Sequence, residues 1–102
     1  MLSRIEQFRP QIEALCRRYR VKRLELFGSA ASGEFREGKS DFDFFYEFDD
    51  PYDVTVADRF FSLQDDLRAL LGADVDLVSA RDAANPYFLH VANRHRVTLY
   101  AA

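Results

Sequence analysis

The spacing of apolar side chains predicts a small domain in which helices and strands alternate. Apolar residues recur at helical spacing over residues 5–19 and again over residues 60–71, where Gly72 is placed to end the helix. Pro10 interrupts the first pattern, so that helix either kinks there or begins near it. Asp50 with Pro51 is a candidate start for the second helix, with Asp53 as the alternative cap.

Short apolar runs bounded by turn residues predict four strands, at residues 24–27, 42–48, 75–78 and 97–100. A short helical turn is expected over residues 28–32 and a last helix over residues 86–94. This order predicts an α/β or α+β fold, a single small mixed β-sheet covered by helices. At 102 residues, with 48% apolar residues, the chain is expected to form a single domain, 1–102.

The stretch between the first two strands carries the candidate chemistry. Gly28 and Ser29 follow an apolar strand and open a helical turn, an arrangement whose backbone N–H groups bind phosphate. Asp41 and Asp43 stand two apart at the start of the next strand, so their carboxylates share one face and repel. Because Mg²⁺ takes oxygen ligands from carboxylates and phosphates, it is the ion that this pair predicts. Ser40 is expected to bond the backbone and to fix Asp41.

Together, Phe27-Gly28-Ser29 and the later Ser40-Asp41-x-Asp43 resemble the nucleotidyltransferase superfamily that includes DNA polymerase beta. Asp76, on the third strand, matches the third acid of that superfamily. The chain is most similar to the minimal nucleotidyltransferases, which are often antitoxins of two-gene toxin–antitoxin pairs. There are two departures: Ser32 stands where these proteins often have Arg, and the eleven residues between Ser29 and Asp41 are one more than expected.

The resemblance implies a fold like the polymerase beta palm and a magnesium-dependent transfer of AMP from ATP. Asp41, Asp43 and Asp76 would hold two Mg²⁺ ions and form the catalytic triad, and Gly28, Ser29 and Ser40 would bind the nucleotide. The acceptor would be a hydroxyl group, most plausibly a tyrosine of a helical partner toxin of the HEPN type. Two alternatives stay open: a non-catalytic module that neutralises a partner by covering it, and transfer to a small molecule.

Composition narrows the function further. A net charge of −3 and a sequence pI near 5.3 disfavour a general nucleic-acid binder. A short chain leaves no room for a template-binding domain, so a nucleic-acid template is not expected. No signal peptide and no membrane-spanning run are recognisable, which predicts a cytoplasmic protein without a membrane partner. Cys16 is the single cysteine of the sequence, so an internal disulfide is excluded. Its thiol is expected to be buried and inert.

Other features leave alternatives open. Basic residues over 17–23 suit a solvated helix end, or they attract a triphosphate or an acidic partner. His90 and His95 are expected to be structural rather than catalytic. Ten Phe and five Tyr exceed what so small an interior can bury, which predicts either an exposed interaction patch or a satellite cluster. The candidates near element ends are Tyr52, Tyr87, Phe88 and Tyr100.

Overall fold

A computed structural model describes residues 3–80 and 96–102 of the chain. The expected helix over residues 86–94 lies outside the described residues, as do Tyr87, Phe88, His90 and His95. In chain order, the described elements are α1 (Ser3–Gln7), α2 (Arg9–Arg18), β1 (Val21–Phe27), α3 (Ser29–Ser32), β2 (Phe42–Phe48), α4 (Val56–Leu71), β3 (Val75–Ser79) and β4 (Val97–Ala101).

The four strands form one mixed sheet in the order β3-β2-β1-β4. β1 pairs antiparallel with both β2 and β4, whereas β2 and β3 run parallel. A short α3 and connector join β1 to β2, and the long α4 crosses over from β2 to β3, as a parallel pair requires. The expected mixed sheet with covering helices is confirmed.

One face of the sheet packs against α1, α2 and α4 to form the main core. Alternate strand residues such as Leu24, Leu26, Phe42 and Phe44 are fully buried there. Cys16 of α2 lies in the same core, and burial raises the pKa of its thiol to about 12, which makes it a poor nucleophile. The opposite face carries a separate, smaller cluster that contains Phe27, Phe45 and Val78.

Two element starts differ from the sequence-based prediction. β1 begins at Val21 rather than at residue 24, because Val21 pairs with Phe48 although polar residues follow it. α4 begins at Val56 rather than at residue 51, since Asp50 adopts a φ of 53°, which is outside the right-handed helical region. Asp53 instead accepts a hydrogen bond from the backbone N–H of Thr55 at 2.6 Å.

Other boundaries agree with the sequence pattern. α2 carries Pro10 in its first turn, so the break that proline predicts separates two helices. Gly72 ends α4 in the left-handed conformation, donating its N–H to the carbonyl of Arg68 at 2.8 Å. Of the helices in residues 3–80 and 96–102, none has the length and apolarity needed to cross a membrane.

Candidate active site

The sheet topology brings the candidate site residues to one edge. Because β1 is antiparallel to β2, and β2 is parallel to β3, the end of β1 lies beside the starts of β2 and β3. The register places Phe27 opposite Asp43, and Asp43 opposite Asp76. The glycine turn after Phe27 and the two acids therefore meet at one end of neighbouring strands.

Asp43 occupies the centre of this arrangement. Its side chain is half-buried, whereas Asp41 and Asp76 are exposed. Burial, then the negative charges of Asp76 and Asp41, raise the pKa of Asp43 from 3.8 to about 6. The three carboxylates are thus close enough to repel one another, and the phenylalanines that alternate with them, Phe42 and Phe44, are fully buried on the other face.

The oxygen chemistry of this cluster suits a hard divalent cation. Within residues 3–80 and 96–102, no group of three or more His, Cys, Asp or Glu side chains is assembled as a metal site. Mutual repulsion between the carboxylates works against their convergence to ligand distances. A cation held between them would remove both the repulsion and the cost of burying Asp43, so the donor set fits Mg²⁺ chemically.

The backbone of Gly28 lies against the Asp43 carboxylate. It has φ 73° and ψ −154°, a combination that residues with a side chain rarely adopt. A Cβ added at this position would lie 2.3 Å from Oδ2 of Asp43. The glycine is therefore required both by the backbone conformation and by the approach of the acid.

α3 follows at once and begins with Ser29. The N–H groups of Ala31 and Ser32 both donate to the carbonyl of Gly28 at 3.1 Å, while the N–H groups at the very start of a helix have no partner inside it. The side chain of Ser29 is half-buried, and its carbonyl accepts hydrogen bonds from the N–H of Gly33 at 3.1 Å and of Glu34 at 3.0 Å. These bonds fix the turn on which the predicted phosphate contacts depend.

Side-chain hydrogen bonds help to hold the connector before β2 in place. Oγ of Ser40 accepts a hydrogen bond from the backbone N–H of Arg36 at 3.0 Å, which confirms the expected bond to the backbone. Arg4 of α1 bonds to Glu37, donates to the carbonyl of Leu71 at 3.2 Å, and lies over the ring of Phe42. The sequence pattern did not identify Arg4, because nothing in its spacing on α1 indicates a partner on the connector.

We call the end of the sheet that carries Asp41, Asp43 and Asp76 the acid edge. A cavity of about 500 Å³ opens beside it, with Asp41 in its wall. The connector contributes Lys39 and Ser40, and the end of α4 contributes Arg68. This cavity gives Asp41 access from the side of the molecule on which the connector lies.

This fold, with a glycine turn facing paired strand acids, is that of a nucleotidyltransferase. The family model "Nucleotidyltransferase domain" matches residues 9–99. A protein of Methanocaldococcus jannaschii named as a candidate protein adenylyltransferase is 44% identical over 70 residues, which cover 69% of this chain and 67% of that protein. The chain therefore belongs to the nucleotidyltransferase domain family and is a nucleotidyltransferase enzyme.

Solved structures place it among the minimal members. A structure described as a candidate minimal nucleotidyltransferase has a TM-score of 0.73 and 32% identity, covering 91% of this chain and 90% of that one. A toxin–antitoxin structure with AMP-PNP has a TM-score of 0.68 and 25% identity, covering 92% and 73%. A complex of the tri-AMPylated Shewanella oneidensis HEPN toxin with its MNT antitoxin, at TM-score 0.62 and 22% identity over 95% and 72%, shows the fold alone.

Proposed function

We propose that this protein is a magnesium-dependent protein adenylyltransferase that moves AMP from ATP onto a tyrosine hydroxyl of a HEPN-type partner toxin, and so acts as its antitoxin. In this reaction the hydroxyl oxygen bonds to the α-phosphorus and pyrophosphate leaves. The observation that carries the proposal is the edge at which Asp43 lies between Gly28 and Asp76 and has a pKa raised by both burial and its acidic neighbours.

The roles of the site residues follow from their positions. Asp41, Asp43 and Asp76 would hold two Mg²⁺ ions, which supply charge stabilisation for an in-line displacement at phosphorus. Asp76 lies at the outer edge strand and is exposed, so its carboxylate is available to accept the proton of the incoming hydroxyl. Backbone N–H groups at Gly28 and Ser29 would bind the β- and γ-phosphates.

Ser29 and Ser40 play different parts in binding the nucleotide. Ser29 stands at the start of α3, where its hydroxyl can donate to a phosphate oxygen. Ser40 acts on the nucleotide through the connector, because its Oγ bonds to Arg36 and holds the turn that leads into Asp41.

The acceptor is the part of the proposal that the solved toxin–antitoxin structures support. One contains AMP-PNP, and another contains a tri-AMPylated HEPN toxin bound to its antitoxin. The curated relatives are likewise named for transfer of adenylyl groups to protein. A partner protein is therefore the class of acceptor that we propose, and its tyrosine hydroxyl is the part of the proposal that rests on the resemblance to the minimal nucleotidyltransferases alone.

The test is transfer of label from α-³²P-ATP to a HEPN protein, sought first among the products of the neighbouring genes, followed by intact mass and peptide mapping. Wild type should label a tyrosine with Mg²⁺ and lose this activity with EDTA. Asp41→Asn and Asp43→Asn should abolish labelling, whereas Asp58→Asn, an exposed acid on α4, should not. Labelling by either site variant would overturn the catalytic assignment, and toxin neutralisation without labelling would favour a binding module.

A further inference from the structure

Glu25 is the buried acid that the proposed chemistry leaves without a role. It lies in the middle of β1 and is 4% exposed, on the same face as Phe27 and opposite Phe45 in the register. This is the face that carries Asp43, two residues before Phe45 on β2. Burying a carboxylate costs free energy unless it is fully paired, so its partners decide what it does.

Two arginines pair with Glu25. Arg96, just before β4, donates from Nε to Oε2 at 2.6 Å and from Nη2 to Oε1 at 2.8 Å, which is the bidentate geometry of a strong ion pair. Arg23 also contacts Oε1, from Nε at 2.8 Å, but its side chain is half exposed. The pair with Arg96 is the more buried one and joins β4 to the site face of β1.

The guanidinium of Arg96 extends this pair toward the site. It lies over the ring of Phe45, 4.6 Å from the centroid. Phe45 in turn stacks on Phe27, with ring centroids 4.1 Å apart. Phe27 is followed by Gly28 and stands opposite Asp43, so a continuous set of contacts runs from Arg96 to the phosphate turn and the central acid.

We infer that the Glu25–Arg96 ion pair is a positioning device for nucleotide binding, and that Arg96 sets the Phe45–Phe27 stack against which Gly28 and Asp43 are held. Neither residue contacts the reacting atoms. A buried ion pair adds little net stability compared with apolar residues of similar volume, whereas its directional bonds fix geometry. The inference rests on the proposed function, since it concerns the same nucleotide site.

Calorimetric titration with Mg²⁺ and an ATP analogue carrying a non-cleavable α,β bridge separates positioning from chemistry. Arg96→Lys keeps the charge but loses the planar fork, and Glu25→Gln keeps the shape but loses the charge. Each should weaken analogue binding by about 2- to 30-fold, the usual range for residues coupled to a site through packing. The double variant with both substitutions should bind the analogue no less tightly than whichever single variant binds it less tightly, because both substitutions act through one ion pair.

Two arginine controls isolate the effect. Arg23→Gln removes the other cation on Glu25, and among the described residues Arg23 stacks on no aromatic ring, so analogue affinity should stay as in wild type. Arg59→Lys changes a buried arginine that lies over Phe48, at the far end of β2, and should lower Tm while leaving affinity unchanged.

Each outcome decides the inference. If Arg96→Lys and Glu25→Gln lower Tm as Arg59→Lys does but bind the analogue like wild type, the pair is structural only and the inference is wrong. Equal weakening by Arg23→Gln would also overturn it, because the path through Phe45 would then have no special part. If wild type binds no analogue with Mg²⁺, the proposed function fails first, and the inference falls with it.

Discussion

At the scale of single residues, the environment of Asp43 explains both the raised pKa of its carboxyl and the stability that the protein loses when this carboxyl is ionised. The carboxyl is half-buried between the turn at Gly28 and two other acids, and its pKa rises to about 6. A group held this way is unfavourable when ionised in the apoprotein and favourable once a cation shares its charge. In the proposed metal site these acids would serve to bind a cation, at the expense of the stability of the metal-free protein.

This arrangement predicts an unusual dependence of stability on pH. Between its ordinary pKa of 3.8 and about 6, Asp43 binds more protons in the folded than in the unfolded state, so its contribution to stability falls as pH rises. In metal-free urea titrations, Asp43→Asn should therefore be more stable than wild type by about 1 kcal/mol at neutral pH, an effect reduced by solvent screening. The difference should shrink toward zero near pH 4.

The matched control for that titration is Asp58→Asn, which removes an exposed acid on α4. It should not become more stable than wild type as the pH rises toward neutral. A constant difference between Asp43→Asn and wild type from low to neutral pH would show that Asp43 is not strained by its neighbours. That result would remove the main electrostatic support for the site.

Gly28 gives the second prediction. Gly28→Ala places a Cβ 2.3 Å from the Asp43 carboxylate and forces a side chain onto a backbone with φ 73°. We expect a loss of about 2 kcal/mol or more in unfolding free energy together with loss of transfer. Gly38→Ala is the control, because it also has a positive φ but no atom within 4 Å of the added Cβ. Transfer by Gly28→Ala at the wild-type rate would refute the close contact.

At the scale of elements, the sequence predicts the strands well because each is an apolar run whose alternate residues face the core. Phe42 and Phe44 are buried and the acids beside them are not, as their spacing indicates. The predicted start of α4 was wrong. Asp50-Pro51 is typical of a helix start in sequence, but in the structure Asp50 follows β2 with a φ of 53°, and α4 begins only at Val56. Local pattern cannot report such a bend.

Long-range arginine contacts were missed for the same reason. The sequence analysis did not single out Arg4, Arg59 or Arg96, yet each joins segments far apart in the chain. Their partners are backbone carbonyls, a connector acid and a buried strand acid, which no spacing rule connects. The motif indicates roles for the site residues, which stay predictions, while the contacts that position these residues required the fold.

Arg59 gives a prediction at this scale. It is 6% exposed and donates to the carbonyls of Tyr19 at 3.3 Å, Asp49 at 2.9 Å and Asp50 at 2.8 Å. Arg59→Ala should remove these three hydrogen bonds and the buried side chain that makes them where α2, β2 and α4 meet, and should cost about 2–4 kcal/mol of stability by thermal or urea unfolding. Arg68→Ala, an exposed arginine on the same helix, should cost less than about 0.5 kcal/mol.

At the scale of the molecule, the apolar surface and the acid edge lie at different ends. Tyr52 is 81% exposed in the loop that follows the end of β2, whereas the acids lie at its start. Val54 and Phe61 are also exposed, although the sequence analysis did not single them out, and Tyr100 is half-buried against the core. Exposure of Tyr52 fits the expected patch, and contacts there would leave the acid edge open.

This separation predicts that partner binding and transfer can be uncoupled. Asp43→Asn, co-expressed with a HEPN protein of the proposed partner class, should co-purify with it as wild type does, while the partner keeps its unmodified mass. The reason is that Asp43 is half-buried at the acid edge and presents little surface to a partner. Size-exclusion chromatography and intact mass spectrometry of the co-purified partner measure the two properties separately. If neither wild type nor Asp43→Asn retains a stoichiometric partner, a small molecule becomes the better candidate for the acceptor. If only Asp43→Asn loses binding, the interface lies on the acid edge itself.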